Sequence, residues 1–543
     1  MDEEEPVDFS GKVAKGSLWG FAGNFGSKLL SFVYLILLAR AATQEDIGLF
    51  YLSYSMVGIL MVASELGLPS SLQRYIPFYD AKGERGKAAA LLRASYLIVC
   101  ASSVLFMAAL FAGADGIAAA YQNPGLAPAL RLIVPFIIVG SLFRVHAFFL
   151  QGSADMRGMQ TMMGAQNALK LGLTALLLWL SVPGLLAISA AFTLSHLLAL
   201  IVWTPLVMKD ARALGKPVSL ASGEVLREII PFGVMLSVLA SFATILASAD
   251  KLVLGYLSVP EGASELVAIY TIGSSLAIML TLIPYSIELI FLPVISRLVG
   301  KGDMKGVRSL TAAAQGWSLL LTLPAAIALM VFSGDVLGAL YGESYRSGGA
   351  AMTILALAFA IKTYSHILSV TLAAMRLVRL EIAVYAVSAA LNVGLGIALV
   401  PLYGMEGAAA ATLASMALMA ALFAFYSKKS FGFTFPARVW RISAAGAITL
   451  AAAYAAHGPL SSLLLSAPAG ADALAEYAGK FAYLAFFAIV CLAILALFGV
   501  LCITLRCLRR EDADLLGRAL RKAGAPPLLS NLALKAALLG TEA

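Results

Sequence analysis

The chain has 543 residues, of which 61% are hydrophobic and only 13% are charged, and its mean hydropathy is +0.91. This composition lies far outside the range of soluble globular proteins and indicates a polytopic membrane protein. The formal net charge of +8 is explained by basic residues between the apolar runs, so it does not argue for nucleic-acid binding, and no nucleic-acid partner is expected.

Fourteen apolar runs are each long enough for a membrane-spanning helix, which needs about 20 residues. In chain order they are 18–39, 47–68, 91–113, 129–150, 161–181, 184–206, 229–250, 266–292, 310–332, 350–373, 381–400, 405–426, 439–457 and 481–505. The sequence therefore predicts an all-α protein with fourteen transmembrane helices.

The ends of the spans indicate the orientation of the chain. The opening "MDEEEPVDFS" is acidic and lacks the cationic segment of a signal peptide. Basic clusters such as "RYIPFYDAKGERGK", "SRLVGKGDMKGVR" and "LRCLRR" follow even-numbered spans. Because basic loops stay on the cytoplasmic side, we expect a multi-pass protein of the cell membrane with both termini in the cytoplasm.

No motif of metal, redox or nucleotide chemistry is evident. The four cysteines show no metal-ligand spacing, the four histidines form no HExxH pattern, and no phosphate-binding GxxxxGK[ST] loop occurs. We expect no cofactor and no enzymatic activity. Active transport by this chain would then use an ion gradient, the gradient of the substrate or a separate partner.

The two halves of the chain match at an offset of about 220 residues. "IGLFYLSYS" at 47–55 matches "VAIYTIGSS" at 267–275. Further equivalent pairs are Asp115 and Asp335, Tyr121 and Tyr341, His146 and His366, and Gly184 and Gly404. Six spans per repeat is an even number, so the copies enter the membrane in the same direction, and we expect two parallel six-helix bundles around a central cleft.

This repeat predicts six segments. They are a cytoplasmic tail (1–16), the N-terminal bundle (17–208), a cytoplasmic linker (209–228), the C-terminal bundle (229–428), two extra helices (429–506) and a cytoplasmic C-terminal tail (507–543).

Four stretches carry a family resemblance. They are "GKVAKGSLWGFAGNFGSKLLSFVYLILLAR", "IGLFYLSYSMVGILMVASELGLPSSLQRYIP", "ADKLVLGYL" with "IYTIGSSLAIMLTLIPYSIELIFLPVISRL", and "NVGLGIALVPLYGMEGAAAATLAS". In this order they resemble the polysaccharide transporter branch of the multidrug, oligosaccharidyl-lipid and polysaccharide exporter superfamily, which includes O-antigen flippases.

The resemblance implies a V-shaped carrier with a cavity lined by spans 1, 2, 7 and 8. It implies a flippase that moves a polyprenyl-(pyro)phosphate-linked oligosaccharide from the cytoplasmic to the outer leaflet by alternating access, coupled to H⁺ or Na⁺. The expected partners are this substrate, the bilayer, and a glycan polymerase or glycosyltransferase. The chain is expected to act as a monomer.

Three basic residues are candidates for binding the substrate. Lys28 lies near the middle of span 1, where a charge is costly unless it faces a bundle interior, and it is the main candidate to contact the phosphate. Arg74 follows span 2, and Lys251 ends span 7. A carboxylate partner elsewhere in the bundle is the alternative for Lys28, and an interfacial position is the alternative for the other two.

Three carboxylates are candidates for gating or ion coupling, namely Glu65, Asp250 and Glu288, which all lie near span ends. The alternative is an ordinary hydrated position at the interface. Since adjacent helical residues point about 100° apart, we expect Asp250 and Lys251 to pair poorly with each other and Asp250 to meet a cation from span 1.

Other polar residues inside spans are interpreted as structural. His146 and His366 are expected to be hydrogen-bonded within their own bundles. Lys170 and His196 are expected to have buried partners rather than contact with substrate.

Other functions fit the sequence less well. An ion-coupled multidrug exporter of the same superfamily usually has twelve spans, two fewer than predicted here. A membrane glycosyltransferase or polymerase needs a large polar loop, whereas the longest outer loop, about 458–480, has few polar side chains. A scaffold does not explain Lys28. Lipid II flippases place several arginines in span 1, so the single Lys28 favours the O-antigen and exopolysaccharide class.

Overall fold

A computed structural model describes residues 9–218, 224–258, 262–465 and 473–507, and within these ranges the chain is helical without any β-strand. The helices are α1 (Phe9–Ala41), α2 (Gln44–Glu65), α3 (Leu68–Ala81), α4 (Arg85–Ala120), α5 (Leu126–Ile133), α6 (Phe136–Gly152), α7 (Met156–Trp179), α8 (Gly184–Ala213), α9 (Glu224–Leu257), α10 (Ala263–Ile278), α11 (Leu282–Gly300), α12 (Met304–Val331), α13 (Ser333–Tyr341), α14 (Gly349–Ala374), α15 (Val378–Phe431), α16 (Ala437–Leu465) and α17 (Ala473–Thr504). This confirms the predicted all-α fold class.

Every predicted span is mostly helical, although some helices break inside a span. The eighth predicted span is divided between α10 and α11 by a 3₁₀ turn at Met279–Thr281. Pro284, three residues after this turn, has no amide hydrogen to bond back to the preceding turn. Predicted spans 11 and 12 join into α15, which is kinked at Gly404, where φ is 55°.

The number of spans is only partly resolved. In the described part of the chain, eleven helical segments are long and apolar enough to cross a membrane. α1 and α7 are outside this set, and one segment, α15, contains two predicted spans. In α7 the polar residues Gln166, Asn167 and Lys170 interrupt the apolar sequence. The count of fourteen therefore stays a prediction.

The structure divides into two compact units. Unit 1 contains Met1–Ile272 and Tyr385–Ala411, and unit 2 contains Gly273–Val384 and Thr412–Ala543. The units are defined by packing, whereas the predicted bundles were defined by sequence equivalence. The predicted segment boundaries therefore stay predictions, and nearly all of the predicted C-terminal tail lies outside the described residues.

Glycines permit close helix packing within unit 1, where α1 packs along α7, and α2 along α9. A Cβ atom on Gly48 would overlap the carbonyl oxygen of Ser264. A Cβ atom on Gly67, which ends α2 with a φ of 69°, would overlap the carbonyl oxygen of Gly233. Small residues at such crossings let backbones approach closely, which is how helices associate when both are surrounded by lipid.

In unit 2 the two extra C-terminal helices pack on α12. Leu319 of α12, Ile442 of α16 and Phe498 of α17 share one buried apolar cluster. Arg438 Nε donates to the carbonyl of Cys507 at 2.9 Å, and Arg441 Nη1 donates to the carbonyl of Arg506 at 3.0 Å. These bonds satisfy two carbonyl groups of the turn that follows α17.

Equivalent positions of the sequence repeat have similar local structure. In unit 1, Asp115 binds Arg131 at 2.5 Å, and in unit 2, Asp335 binds Arg346 at 2.5 Å. Gly184 begins α8 after a break in the chain, and Gly404 forms the kink of α15. The offset of 220 residues is therefore accompanied by similar ion pairs and similar helix breaks.

Candidate functional site

Lys28 lies on α1 with an exposed side chain, as a substrate-binding cation would require. One turn further along α1, Ser31 donates to the side-chain oxygen of Asn167 on α7, and the same oxygen accepts from Lys170, so the structure brings Lys28 and Lys170 to the same α1–α7 contact. Lys170 is only 8% exposed. Within the described residues, neither lysine forms an ion pair with a carboxylate, so the structure brings together two cations that lack a counter-ion.

Neutral groups hold Lys170 in place. Its Nζ donates to Asn167 Oδ1 at 3.1 Å and lies 4.6 Å from the centre of the Tyr34 ring. Ser31 Oγ donates to the same Asn167 oxygen at 3.1 Å. An aromatic face and an amide oxygen both attract a cation, but neither cancels its charge. We call Lys28, Ser31, Tyr34, Asn167 and Lys170 the lysine cluster.

His196 on α8 belongs to a neighbouring polar network. Gln166 Nε2 donates to Ser195 Oγ at 3.1 Å and lies 3.3 Å from His196 Nδ1, which is 2.8 Å from the carbonyl of Phe192. The Phe192 ring also lies 5.9 Å from Lys170 Nζ. The buried partners expected for His196 are present, and they adjoin the lysine cluster.

The predicted gating residue Glu65 is at the end of α2 and is 3% exposed. Its Oε1 is 3.0 Å from Nε of Arg144 on α6, whose side chain is 33% exposed. The contact is an ion pair whose angle falls outside hydrogen-bond geometry. Glu65 is therefore buried and paired rather than hydrated at an interface.

The expected separation of Asp250 from Lys251 is wrong. Lys251 Nζ is 3.6 Å from Asp250 Oδ1, because the long lysine side chain bends back along α9 and also donates to the carbonyl of Ala247 at 2.8 Å. A cation from span 1 was expected beside Asp250. The group found there is the hydroxyl of Tyr270, which donates to Asp250 Oδ2 at 2.8 Å.

Arg74 is exposed on α3, and its guanidinium lies 4.1 Å above the centre of the Phe232 ring of α9. Among the contacts of the described residues, none joins Arg74 or Lys251 to the lysine cluster. The roles of both residues in substrate binding stay predictions.

The predicted coupling residue Glu288 lies in unit 2 on α11. Its Oε2 is 2.8 Å from Nε2 of His366 on α14, and the His366 ring packs 4.4 Å from that of Tyr285. Nearby, Glu381 on α15 is 6% exposed and accepts a hydrogen bond from Ser369 at 2.6 Å. The partners of the two carboxylates, His366 and Ser369, lie one turn apart on α14, which places Glu288 and Glu381 in one cluster.

Sequence reasoning missed Glu381. The residue is the first acidic position of predicted span 11, in "VRLEIAVYAV", and a carboxylate placed there is a signal that could have been read. What the sequence did not contain was the proximity of Glu381 to Glu288.

The sequence matches a known protein family. A family model described as polysaccharide biosynthesis protein matches residues 13–299, which is more than half of the chain. The chain belongs to this family. The resemblance to the polysaccharide and oligosaccharidyl-lipid exporters is thereby confirmed.

Relatives of this chain occur in archaea. An uncharacterized membrane protein of Methanocaldococcus jannaschii is 22% identical over 75% of this chain and 82% of its own length. A probable low-salt glycan biosynthesis flippase of Haloferax volcanii, Agl15, is 22% identical over 74% of this chain and 80% of its own. In both comparisons the matched region covers most of this chain and most of the relative.

A solved structure of the lipid II flippase MurJ in an inward closed conformation has a similar fold. It aligns with a TM-score of 0.66 at 14% sequence identity, covering 89% of this chain and 97% of that chain. At this identity the likeness shows the fold and does not transfer a substrate.

Proposed function

We propose that this protein is a flippase that moves a polyprenyl-(pyro)phosphate-linked oligosaccharide from the cytoplasmic to the outer leaflet by alternating access. Its substrate could leave the lipid chain in the bilayer, but the anionic phosphate and the sugar hydroxyls cannot enter hydrocarbon cheaply. A carrier must therefore supply cations and polar groups inside the membrane. Family membership and the named flippase relative support this activity.

The observation that carries the proposal is the pair of lysines for which the described residues supply no counter-ion. A structural charge within a membrane protein is normally paired with an opposite charge, as Glu65 is with Arg144. Lys28 and Lys170 are near each other without such a partner among the described residues. An anionic headgroup would provide the missing charge.

Replacing Lys28 with alanine is expected to slow leaflet exchange about 10- to 100-fold, because a hydrogen bond to a charged group contributes about 1.5–3 kcal/mol. The assay uses the full chain in liposomes with a fluorescent polyprenyl-pyrophosphate oligosaccharide, and follows loss of fluorescence when a quencher is added outside. Lys28→Arg, which keeps the charge, is expected to retain most of the exchange.

Lys429→Ala is the control, because Lys429 is exposed in the last turn of α15, and its exchange should match that of the unchanged protein. Leaflet exchange at the full rate in Lys28→Ala would show that Lys28 does not bind the substrate.

A parallel assay follows efflux of a cationic dye. Dye efflux without lipid exchange would favour the multidrug exporter, the alternative function.

We also propose that Glu288, His366 and Glu381 couple transport to a cation, with H⁺ or Na⁺ as the candidates. Two neighbouring carboxylates, of which Glu381 is buried and Glu288 partly exposed, gain stability when a cation or a proton binds between them. The imidazole of His366, at 2.8 Å from Glu288, can exchange a proton with the carboxylate. This cluster would use the ion gradient to give transport a direction.

In Glu288→Gln, accumulation of substrate in one leaflet under an imposed pH or Na⁺ gradient is expected to fall to the equilibrium level. Exchange without a gradient should persist, because the lysine cluster is unchanged. Imposing the H⁺ and Na⁺ gradients separately identifies the ion. Glu343→Gln is the control, since Glu343 is 75% exposed in the same unit. Gradient-driven accumulation that survives in Glu288→Gln would contradict this assignment.

A further inference from the structure

We infer that Cys502 and Cys507, at the C-terminal end of α17, form a redox-sensitive thiol pair that a low-molecular-weight disulfide such as glutathione disulfide oxidises to an intrachain disulfide. Both cysteines are free thiols in the structure. The new bond would fix the end of α17 and its contact with α16. The inference goes beyond the proposed function, which uses neither cysteine.

A Schellman motif ends α17 and brings the two cysteines together. The amide of Cys507 donates to the carbonyl of Cys502 at 2.8 Å. The amide of Arg506 donates to the carbonyl of Ile503 at 3.1 Å, and Arg506 has the left-handed φ of 53° that the motif requires. In this motif the side chains of the first and last residues frequently contact each other. These two positions are Cys502 and Cys507.

The backbone distance between the two cysteines suits a disulfide. The Cα atom of Cys507 is one covalent bond from its amide nitrogen, and the Cα atom of Cys502 is two bonds from its carbonyl oxygen. Because nitrogen and oxygen are 2.8 Å apart, the two Cα atoms are less than about 7 Å apart, which is within the range that a disulfide can bridge. Both side chains also belong to one buried apolar cluster, with Leu319 and Phe498, so they lie on the same side of the turn.

Thiol–disulfide exchange in two steps forms the bond. One cysteine thiolate attacks a sulfur atom of glutathione disulfide, which forms a mixed disulfide and releases one glutathione. The other cysteine loses its proton and attacks the protein sulfur of the mixed disulfide, which releases the second glutathione. The two protein thiols lose two electrons and two protons in total, and the small disulfide gains both.

The end of a helix is a place where an oxidant can reach buried thiols. Cys502 is 3% exposed and Cys507 is 0% exposed, so exchange requires local opening, which costs least where helices fray. Nε of Arg438 on α16 donates to the carbonyl of Cys507 at 2.9 Å. A disulfide that holds this turn closed therefore also holds the contact between α16 and α17.

The test uses the full chain with Cys100→Ala and Cys491→Ala, so that the pair supplies its only two cysteines. The purified protein in detergent is incubated with glutathione disulfide, unfolded and treated with N-ethylmaleimide, and its intact mass is measured. The reduced chain should take up two maleimide groups and the oxidised chain none. Trypsin cleaves after Arg506, so the disulfide should join peptide 481–506 to peptide 507–509.

The matched control keeps the other two cysteines and carries Cys502→Ala and Cys507→Ala. Its cysteines lie within the regular helices α4 and α17, without a cap that joins them, and it should form no intrachain disulfide. Hydrogen exchange measures the effect on the helix end. Oxidation should slow exchange of the Cys507 amide about tenfold in the chain with the pair, and it should leave the control unchanged.

Two maleimide groups on the pair after incubation with glutathione disulfide would overturn the inference. Two bound glutathiones, or a disulfide-linked dimer on a non-reducing gel, would also overturn it, because neither product contains the intrachain bond. An intrachain disulfide that leaves hydrogen exchange of residues 501–507 unchanged would refute its effect on the end of α17.

Discussion

Gly67→Ala is expected to prevent normal packing of α2 against α9 and to leave little folded protein. The added Cβ would overlap the carbonyl oxygen of Gly233, and the backbone at Gly67 has a φ of 69°. The left-handed conformation alone costs about 1–2 kcal/mol for a residue other than glycine, and an overpacked contact adds about 1–3 kcal/mol. The yield of monodisperse protein after extraction into detergent, and its melting temperature, measure the effect.

Substitutions at two other glycines separate the cost of the backbone conformation from the cost of the overlap. Gly83 has a φ of 73° and Gly58 is helical, and a Cβ atom on either would meet nothing within 4 Å. Gly83→Ala should show only the backbone cost, and Gly58→Ala should be neutral or slightly stabilising, because alanine favours helix. A Gly67→Ala protein as stable as Gly83→Ala would show that the α2–α9 approach is not tight.

Arg144→Leu is expected to destabilise the protein by about 1–3 kcal/mol, because it leaves the Glu65 carboxylate buried without its cation. Arg144 is 33% exposed, so water already screens part of the attraction and the lower part of this range is expected. The melting temperature of the purified protein measures the loss. The melting temperature also shows whether the Glu65–Arg144 pair is required for stability, in addition to being a candidate for gating.

The double variant Glu65→Gln with Arg144→Leu tests the cause. Removing the charge of Glu65 should recover much of the lost stability, since no buried charge then lacks a partner. Arg85→Leu provides the exposed comparison, because the Arg85–Asp80 pair is 2.6 Å long with side chains 61% and 50% exposed. It should change stability by less than about 1 kcal/mol. A double variant less stable than Arg144→Leu would refute the unpaired-charge explanation.

Much of the helical architecture was predictable, because long apolar runs and the lysine and arginine clusters between them are local properties of the chain. Lys28 could also be selected, since a charge in the middle of an apolar run is visible without knowing its neighbours. The break before α11 was less predictable. Pro284 was visible in the sequence, but whether a proline kinks or divides a helix depends on the residues packed around it.

The partners of the charged residues were not predictable. Lys170 has partners inside its bundle, as expected, but among the described residues these partners are neutral groups rather than a carboxylate. Asp250 and Lys251 were expected to point apart, yet the flexible lysine side chain returns to its neighbour. Glu381 was not singled out, because its relation to Glu288 depends on two helices far apart in the sequence.

The sequence alone therefore determined that this is a helical membrane protein, where its long apolar runs lie, which family it resembles and that Lys28 is an unusual charge. Hydrophobicity and helix length act residue by residue along the chain, so they can be read without coordinates. Only the tertiary structure decided which charges are neutralised, as Glu65 is by Arg144, and which have no carboxylate partner in the described part of the chain, as Lys170 has none. Electrostatic attraction depends on distances between helices, and these distances are set by packing.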